Sequence, residues 1–143
     1  MHKINAILVA VDGSETSDRA VQHALDMIAT GCAAELHLLN VQPSVGGAVS
    51  SFVSREQIDS YHREEGEKAL ASAMALAQTA SVTPKTHVGV GRQGEIVADF
   101  ARKVGAGLVV MGTRGHTGLT GVLLGSVAQD VIAHAKVPVT LVK

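Results

Sequence analysis

Residues 108–135, LVVMGTRGHTGLTGVLLGSVAQDVIAHA, carry the strongest signal of both fold and site in this chain. The apolar run LVVM at 108–111 predicts a buried strand, and residues 127–135 predict a short helix. Between them the loop carries glycines at 112, 115, 118 and 121 and ends on Gly125-Ser126. Glycine permits tight turns and close approach of a ligand, and the free N–H groups that begin a helix attract anions. The stretch therefore predicts a strand, a phosphate-binding loop and a helix.

Strand and helix signals alternate along the rest of the chain. Short apolar runs predict strands at residues 4–11, 35–41, 85–90, 108–111 and 137–142, and helical spacing predicts helices at 16–31, 55–79, 95–104 and 127–135. Residues 43–54, with Gly46-Gly47 and four serines, predict a flexible loop. The alternation predicts one α/β domain over residues 1–143, an open parallel five-stranded sheet with helices on both faces. Ligands of such sheets bind beyond the carboxyl ends of the strands, so the turns that follow the first four strands form the candidate site.

Apolar spacing also predicts which helical side chains face the core. In the helix at 55–79 we expect these to be Ile58, Tyr61, Ala69, Ala73 and Leu76. In the helix at 95–104 we expect Ile96, Phe100 and Val104, with Gly105 just past the helix end. Glu64 and Lys68 are four residues apart and predict an ion pair.

Composition excludes several classes of protein. Twelve Lys and Arg against thirteen Asp and Glu leave a net charge of -1, and aromatic residues are only 2% of the chain, which argues against a nucleic-acid surface. No apolar run approaches the roughly 20 residues that a membrane-spanning helix needs. The first residues lack the apolar core of a signal peptide, and the single cysteine, Cys32, cannot form an internal disulfide. We therefore expect a protein of the cytoplasm.

Other phosphate-binding motifs fit less well. Residues 89–94, GVGRQG, match the dinucleotide pattern, but no carboxylate follows at the spacing that would hold a ribose, so we interpret these glycines as easing a tight turn. A P-loop needs a Gly-Lys pair, which the sequence lacks. A receiver domain needs clustered acids after its first strand, where Asp12 stands alone.

The spacing of Gly112, Gly115, Gly125 and Ser126 resembles that of the universal stress protein family, in its ATP-binding branch. The resemblance extends over the whole chain, from VAVDGS at 9–14 to PVTLV at 138–142. It implies a Rossmann-like sheet of order 3-2-1-4-5, of the adenine nucleotide alpha hydrolase-like kind, with the first and fourth strands side by side. It also implies a stress-linked role and a homodimer joined through the last strand, between Val137 and Val142.

The resemblance also implies which residues bind ATP, together with Mg²⁺. Asp12 and the backbone around Ala10 and Val41 would border the adenine and ribose. The ribose and inner phosphates would be wrapped by Gly112, Thr113, Arg114 and Gly115. The outer phosphates would be held by His116, Thr117, Gly118, Gly125, Ser126 and Val127. The chain shows no dedicated metal ligands and no metal-binding spacing of histidines.

Several of these residues have a purely structural alternative. Asp12 could stabilise its own turn, Arg114 could be a solvated charge, and His116 could be an exposed loop residue. Met111 could pack under the nucleotide or in the core. Ser126 is expected to be the N-cap of the last helix, a role compatible with phosphate binding.

Three functions remain open from the sequence. The first is a nucleotide-binding regulatory dimer, with residues 43–54 as the moving part. The second is a slow ATPase or a phosphoryl or nucleotidyl transferase, although no general base is evident and we expect very slow turnover at most. The third is a nucleotide-free dimeric scaffold for a transporter or sensor, which the intact glycine motif disfavours.

Overall fold

The fold is a parallel sheet of five strands covered by helices on both faces. A computed structural model describes residues 4–115 and 124–143. The strands are β1 (Ile4–Ala10), β2 (Ala33–Gln42), β3 (Lys85–Val90), β4 (Leu108–Gly112) and β5 (Val139–Val142). The helices are α1 (Glu15–Ala29), α2 (Gly47–Ser50), α3 (Arg55–Thr79), α4 (Gln93–Val104) and α5 (Ser126–His134). The predicted elements are all present, with ends that differ by at most two residues, and α2 is an addition within the predicted loop at 43–54.

The strand order is β3-β2-β1-β4-β5, and the paired strands are parallel, which confirms the predicted fold class and order. β1 lies at the centre, between β2 and β4. The chain therefore leaves β1 in one direction to build β2 and β3, and later returns to the other side of β1 to build β4 and β5. This reversal of direction places a crevice beyond the carboxyl ends of β1 and β4.

Alternate residues of the strands divide the core into two layers. On one face Ile7, Val9 and Leu38 pack beneath α1 and α3. On the other face Leu8 and Leu39 pack with residues of α4 and α5. Because aliphatic side chains cover both faces of the sheet, the central strands are almost fully apolar. Among the described residues, no helix is long and apolar enough to cross a bilayer.

The inward face of α3 differs from the predicted one. Its buried residues are His62, Gly66, Leu70, Ala73 and Ala77, so Ala73 is confirmed. The prediction for Tyr61 was wrong, because its neighbour His62 points inward and hydrogen-bonds the carbonyl of Pro43 at 3.0 Å, which leaves Tyr61 54% exposed. Of the remaining predicted inward residues, Leu76 packs at the edge of the core, and Ile58 and Ala69 are half-buried.

The ion pair of Lys68 differs from the predicted one, whereas the inward residues of α4 agree with the prediction. Lys68 pairs with Glu65 at 3.2 Å, one turn away, rather than with the predicted Glu64. In α4 the inward residues were predicted correctly: Ile96, Phe100 and Val104 all pack against the second core layer. Gly105 follows the helix with φ of 68°, the left-handed conformation that glycine adopts readily.

Helices α4 and α5 are in close contact at Gly94. The Asp130 carboxylate Oδ2 accepts a hydrogen bond from the Gly94 amide at 2.7 Å, and its Oδ1 lies 3.4 Å from the Arg92 guanidinium. A Cβ atom at Gly94 would lie 2.4 Å from the Asp130 carbonyl oxygen, a backbone atom that cannot move aside easily. This packing explains a glycine of the GVGRQG stretch without any ligand.

We expect Gly94→Ala to lower the free energy of unfolding by about 1–3 kcal/mol, because the methyl group would overpack the α4–α5 contact. Urea denaturation followed by circular dichroism measures the change. The matched control is Gly47→Ala, where nothing lies within 4 Å of the new methyl group, so stability should not fall. A Gly94→Ala protein as stable as the wild type would contradict the tight packing.

Candidate functional site

A cleft of about 250 Å³ opens beyond the carboxyl ends of β1 and β4. It therefore lies where the strand order reverses. Of the residues proposed to bind ligand, nine line this cleft: Ala10, Asp12, Gly112, Thr113, Arg114, Gly115, Gly125, Ser126 and Val127. The described lining residues that were not predicted are Val11, Ser17, Leu39, Asn40, Gln93 and Ala128, and Met111 lines the cleft while packing in the core.

The remaining four predicted site residues are not among the described residues that line the cleft. His116, Thr117 and Gly118 lie outside the described residues. Val41 is buried and is not among the described lining residues. Its carbonyl oxygen accepts a hydrogen bond at 3.0 Å from Nε2 of Gln93, which does line the cleft.

Asp12 has a structural role in the turn between β1 and α1. Its Oδ1 accepts a hydrogen bond from the Ser14 amide at 2.9 Å, and its own amide donates to the Ser17 hydroxyl at 3.3 Å. The Ser14 hydroxyl in turn accepts from the Ser17 amide and caps α1. Gly13 has φ of 82°, a conformation that favours glycine. Asp12 therefore stabilises its own turn, as one of the two predictions for this residue held, and it also lines the cleft.

Close contacts explain why glycines occupy the loop after β4. A Cβ atom at Gly112 would lie 2.5 Å from Cγ2 of Thr16, and one at Gly115 would lie 2.6 Å from Oδ2 of Asp12. The Asp12 carboxylate thus approaches the Gly115 backbone more closely than any larger residue would allow.

Two backbone hydrogen bonds fix the ends of the loop that runs from β4 to α5. The Thr113 amide donates to the Val142 carbonyl at 2.9 Å, and the Gly125 amide donates to the Thr113 carbonyl at 2.7 Å. Residues 113 and 125 are therefore held together at the start of α5. This closure places the Gly112–Gly115 backbone and the first turn of α5 on the same wall of the cleft.

The prediction that Ser126 caps α5 was wrong. The N-cap is Gly125, whose backbone is extended and whose carbonyl accepts from the Gln129 amide at 3.1 Å. Ser126 is the first helical residue, so its hydroxyl does not make the capping hydrogen bond. The first amides of a helix have no partner within it, and in α5 those of Ser126, Val127 and Ala128 belong to lining residues. With the positive end of the helix dipole, they make an electropositive wall without a lysine.

The lining of the cleft combines apolar and polar residues. Ala10, Leu39 and Met111 supply aliphatic surface, which suits a planar ring. Among the described lining residues, Asp12 is the only acid and Arg114 the only base. Arg114 is exposed, so it can reach a ligand at the open side of the cleft. Within the described residues, no group of three or more acids, histidines or cysteines could hold a metal ion, so a cation here would need oxygen atoms from the ligand.

Sequence signals existed for some of the missed residues. Asn40 is a polar residue that directly follows the apolar pair Leu38-Leu39 of β2, and it is 4% exposed, with its Nδ2 donating to the Val11 carbonyl at 2.7 Å. Gln93 is the first residue of α4, directly after the turn that follows β3, which was one of the four turns predicted to form the site.

Comparison with known proteins agrees with this architecture. The model of the universal stress protein family matches residues 3–143. The chain belongs to that family. Among characterised relatives, universal stress protein MJ0531 of Methanocaldococcus jannaschii is 39% identical over 140 residues, which cover 96% of this chain and 81% of the relative. Universal stress protein YxiE of Bacillus subtilis is 33% identical, with 97% of this chain and 99% of the relative covered.

Solved structures extend the similarity to proteins with bound nucleotides. The hypothetical protein MJ0577 superposes on this universal stress protein with a TM-score of 0.83 at 27% identity, covering 99% of this chain and 97% of that one. The universal stress protein from Archaeoglobus fulgidus in complex with dAMP gives 0.70 at 25% identity, with 99% and 100% covered. A universal stress protein in complex with cAMP gives 0.68 at 25% identity, with 99% and 98% covered.

A second polar cluster of this universal stress protein lies away from the cleft, on the α4 face of β2 and β3. His37 is buried, and its Nδ1 lies 3.0 Å from Nε2 of His87. The other nitrogen of His37 lies 3.2 Å from the Glu35 carboxylate, which also pairs with Lys85 at 3.4 Å. The Glu35 carboxylate accepts a hydrogen bond from Nε2 of His37, and a second hydrogen bond joins Nδ1 of His37 to Nε2 of His87.

This arrangement changes two pKa values. Burial, followed by the positive charges of His37 and Lys85, lowers the pKa of His87 below its ordinary value of 6.5. The hydrogen bond from His37, followed by that from Lys85, lowers the pKa of Glu35.

We expect His87→Gln to flatten the dependence of stability on pH. Below about pH 6.5 the unfolded chain binds a proton at residue 87 more readily than the folded protein, so the free energy of unfolding falls as the pH decreases towards the lower pKa of the folded state. Glutamine keeps a donor for His37 and removes the titration. Urea denaturation between pH 7.5 and 5.5 measures the slope.

The matched control is His23→Gln, which changes an exposed histidine of α1 and should leave the slope as in the wild type. Equal slopes for wild type and His87→Gln would show that the fold does not resist protonation at this position.

Proposed function

We propose that the cleft binds an adenine nucleotide and that the protein is a nucleotide-dependent regulator in stress responses. The observation that carries this proposal is the composition of the cleft wall. Gly112–Gly115 and the first residues of α5 line the same cavity as Asp12, at the switch point of the sheet. The dAMP and cAMP complexes of family members with the same fold support an adenine nucleotide as the ligand.

The distribution of charge suggests how the ligand is oriented. A carboxylate repels phosphate groups and accepts hydrogen bonds from hydroxyl groups, so Asp12 suits the ribose. The first amides of α5 and the Arg114 guanidinium suit the phosphates. The aliphatic surface of Ala10, Leu39 and Met111 is left for the adenine ring. We propose ATP as the physiological ligand, with Mg²⁺ held by the phosphate oxygens.

Binding, with very slow turnover at most, is the activity we propose. Hydrolysis would need a group that positions or deprotonates water beside the outer phosphate. Among the described lining residues, Asp12 is the only carboxylate, and it belongs to the proposed ribose end. Nucleotide occupancy would then act by changing a surface that a partner or a second copy of the chain recognises.

A homodimer joined through β5 is the assembly we propose. β5 is an edge strand, because in the described sheet it pairs only with β4. Its residues, Val139–Val142, are all half-buried and mostly apolar. An uncovered apolar edge favours pairing with another chain, and two identical edges satisfy this with twofold symmetry.

We expect isothermal titration calorimetry to detect binding of MgATP and of AMP to the wild-type protein. Asp12→Asn should weaken the binding of both by about 10- to 100-fold, because the variant loses a charged acceptor for the ribose. Gly115→Val should abolish binding, since its side chain would occupy the space of the Asp12 carboxylate.

The matched control is Asp59→Asn, which makes the same charge change on the exposed surface of α3 and should leave affinity unchanged. Melting temperatures measured without ligand show whether each variant is folded. Absence of heat from the wild type with millimolar adenine nucleotide and magnesium would overturn the proposal.

We also expect nucleotide to protect residues 43–54. This segment begins at Pro43, whose carbonyl is held by His62, and it carries α2 and Phe52, which is 87% exposed. Chymotrypsin cleaves after such residues, so cleavage at Phe52 should slow severalfold with MgATP if the segment closes over the ligand. Digestion of Asp12→Asn under the same conditions is the control, and equal rates with and without MgATP in the wild type would exclude closure.

A further inference from the structure

Gln93 is the first residue of α4 and lines the cleft. β3 is an edge strand two places from β1, yet the residue that follows its turn lines the central cleft. The turn includes Gly91, whose φ of 142° directs the chain back towards the end of β2, and the Gly91 amide donates to the Gln42 carbonyl at 2.9 Å. The fold therefore brings an amide side chain into the lining of the cleft, next to the carboxyl end of β2.

The chemistry of its partner determines the orientation of the Gln93 amide. Nε2 lies 3.0 Å from the carbonyl oxygen of Val41, and only the NH₂ group can donate to a carbonyl. The other end of the amide, Oε1, must then be an acceptor. Within residues 4–115 and 124–143, Oε1 accepts no hydrogen bond, so its capacity is left for a ligand or water.

Asn40 is the other amide side chain among the described lining residues, and it already makes two hydrogen bonds. Asn40 donates through Nδ2 to the Val11 carbonyl at 2.7 Å and accepts through Oδ1 from Gln42. Asn40 therefore joins the ends of β1 and β2. Of the two amide oxygens, Oε1 of Gln93 is the one that accepts no hydrogen bond from the described residues.

The position of Gln93 is fixed by the contact between α4 and α5. The next residue, Gly94, donates its amide to Asp130, and Arg92 approaches the same carboxylate. Asp130 lies one turn after the residues of α5 that line the cleft. Gln93 and the α5 residues that line the cleft are thus carried by two helices that contact each other directly.

We propose that Gln93 determines base specificity and selects a nucleotide whose purine carries a 6-amino group. This inference rests on the proposed nucleotide site and adds the residue that reads the base. Oε1 of Gln93 accepts a hydrogen bond from the exocyclic amino group, while the Nε2–Val41 bond keeps the amide from rotating. A 6-oxo purine in the same position places an acceptor against an acceptor and is disfavoured.

The test combines a change in the protein with a change in the ligand. Calorimetry measures the affinities of wild type and Gln93→Leu for AMP, for purine riboside 5′-monophosphate, which lacks the 6-amino group, and for IMP, which carries a 6-oxo group. We expect the wild type to bind AMP about three- to tenfold more tightly than purine riboside monophosphate, the effect of one hydrogen bond. Gln93→Leu should bind AMP and purine riboside monophosphate with equal affinity. Discrimination against IMP should also decrease.

The control is Gln78→Leu, the same substitution on the exposed end of α3, which should keep the wild-type preference. If the wild type binds AMP and purine riboside monophosphate equally, or if Gln93→Leu retains the preference, the role of Gln93 is overturned while nucleotide binding stands. If the wild type binds none of the three, the proposed site itself is wrong.

Discussion

The site depends on the parallel pairing of β1 with β4. Ile7, Leu8 and Val9 pair with Leu108, Val109 and Val110, so the ends of two strands that are distant in the sequence lie side by side. This register places the Asp12 turn against the glycine loop, where a Cβ atom at Gly115 would lie 2.6 Å from Oδ2 of Asp12. Because both strands are buried in the two core layers, the aliphatic core that stabilises the fold also sets the width of the cleft. Stability and binding geometry therefore share the same contacts.

The sequence predicted the architecture because its strongest signals are local. Apolar runs, helical spacing and the glycines after β4 each depend on near neighbours in the chain, and together they predicted the strand order through the family resemblance and most of the cleft wall. The wrong predictions concern choices made by tertiary contacts. The inward face of α3 is set by the bond between His62 and Pro43 and by Val88, which fills the space opposite Gly66. With so many alanines and serines in that helix, apolar spacing could not distinguish Tyr61 from His62.

Contacts between elements also explain what the sequence missed within the site. A Gly-Ser pair before a helix predicts a serine cap, but the hydrogen bond from Gln129 to the Gly125 carbonyl starts the helix one residue earlier. The turn after β3 was expected to border the site, whereas the direction of the Gln93 side chain follows from its bond to the end of β2. Sequence patterns thus located the turns, and contacts between elements determined which side chains enter the cleft.

The central position of β1 also affects how the chain is synthesised and folds. β2 and β3 follow β1 early in the sequence and can pair on one side of it while translation continues. The other side of β1 has no strand partner until the ribosome has added residues through Gly112. During that interval a nascent chain exposes an apolar strand edge, which is a template for association with other chains. The order of strands that creates the crevice thus also delays completion of the sheet until β4 and β5 have been synthesised.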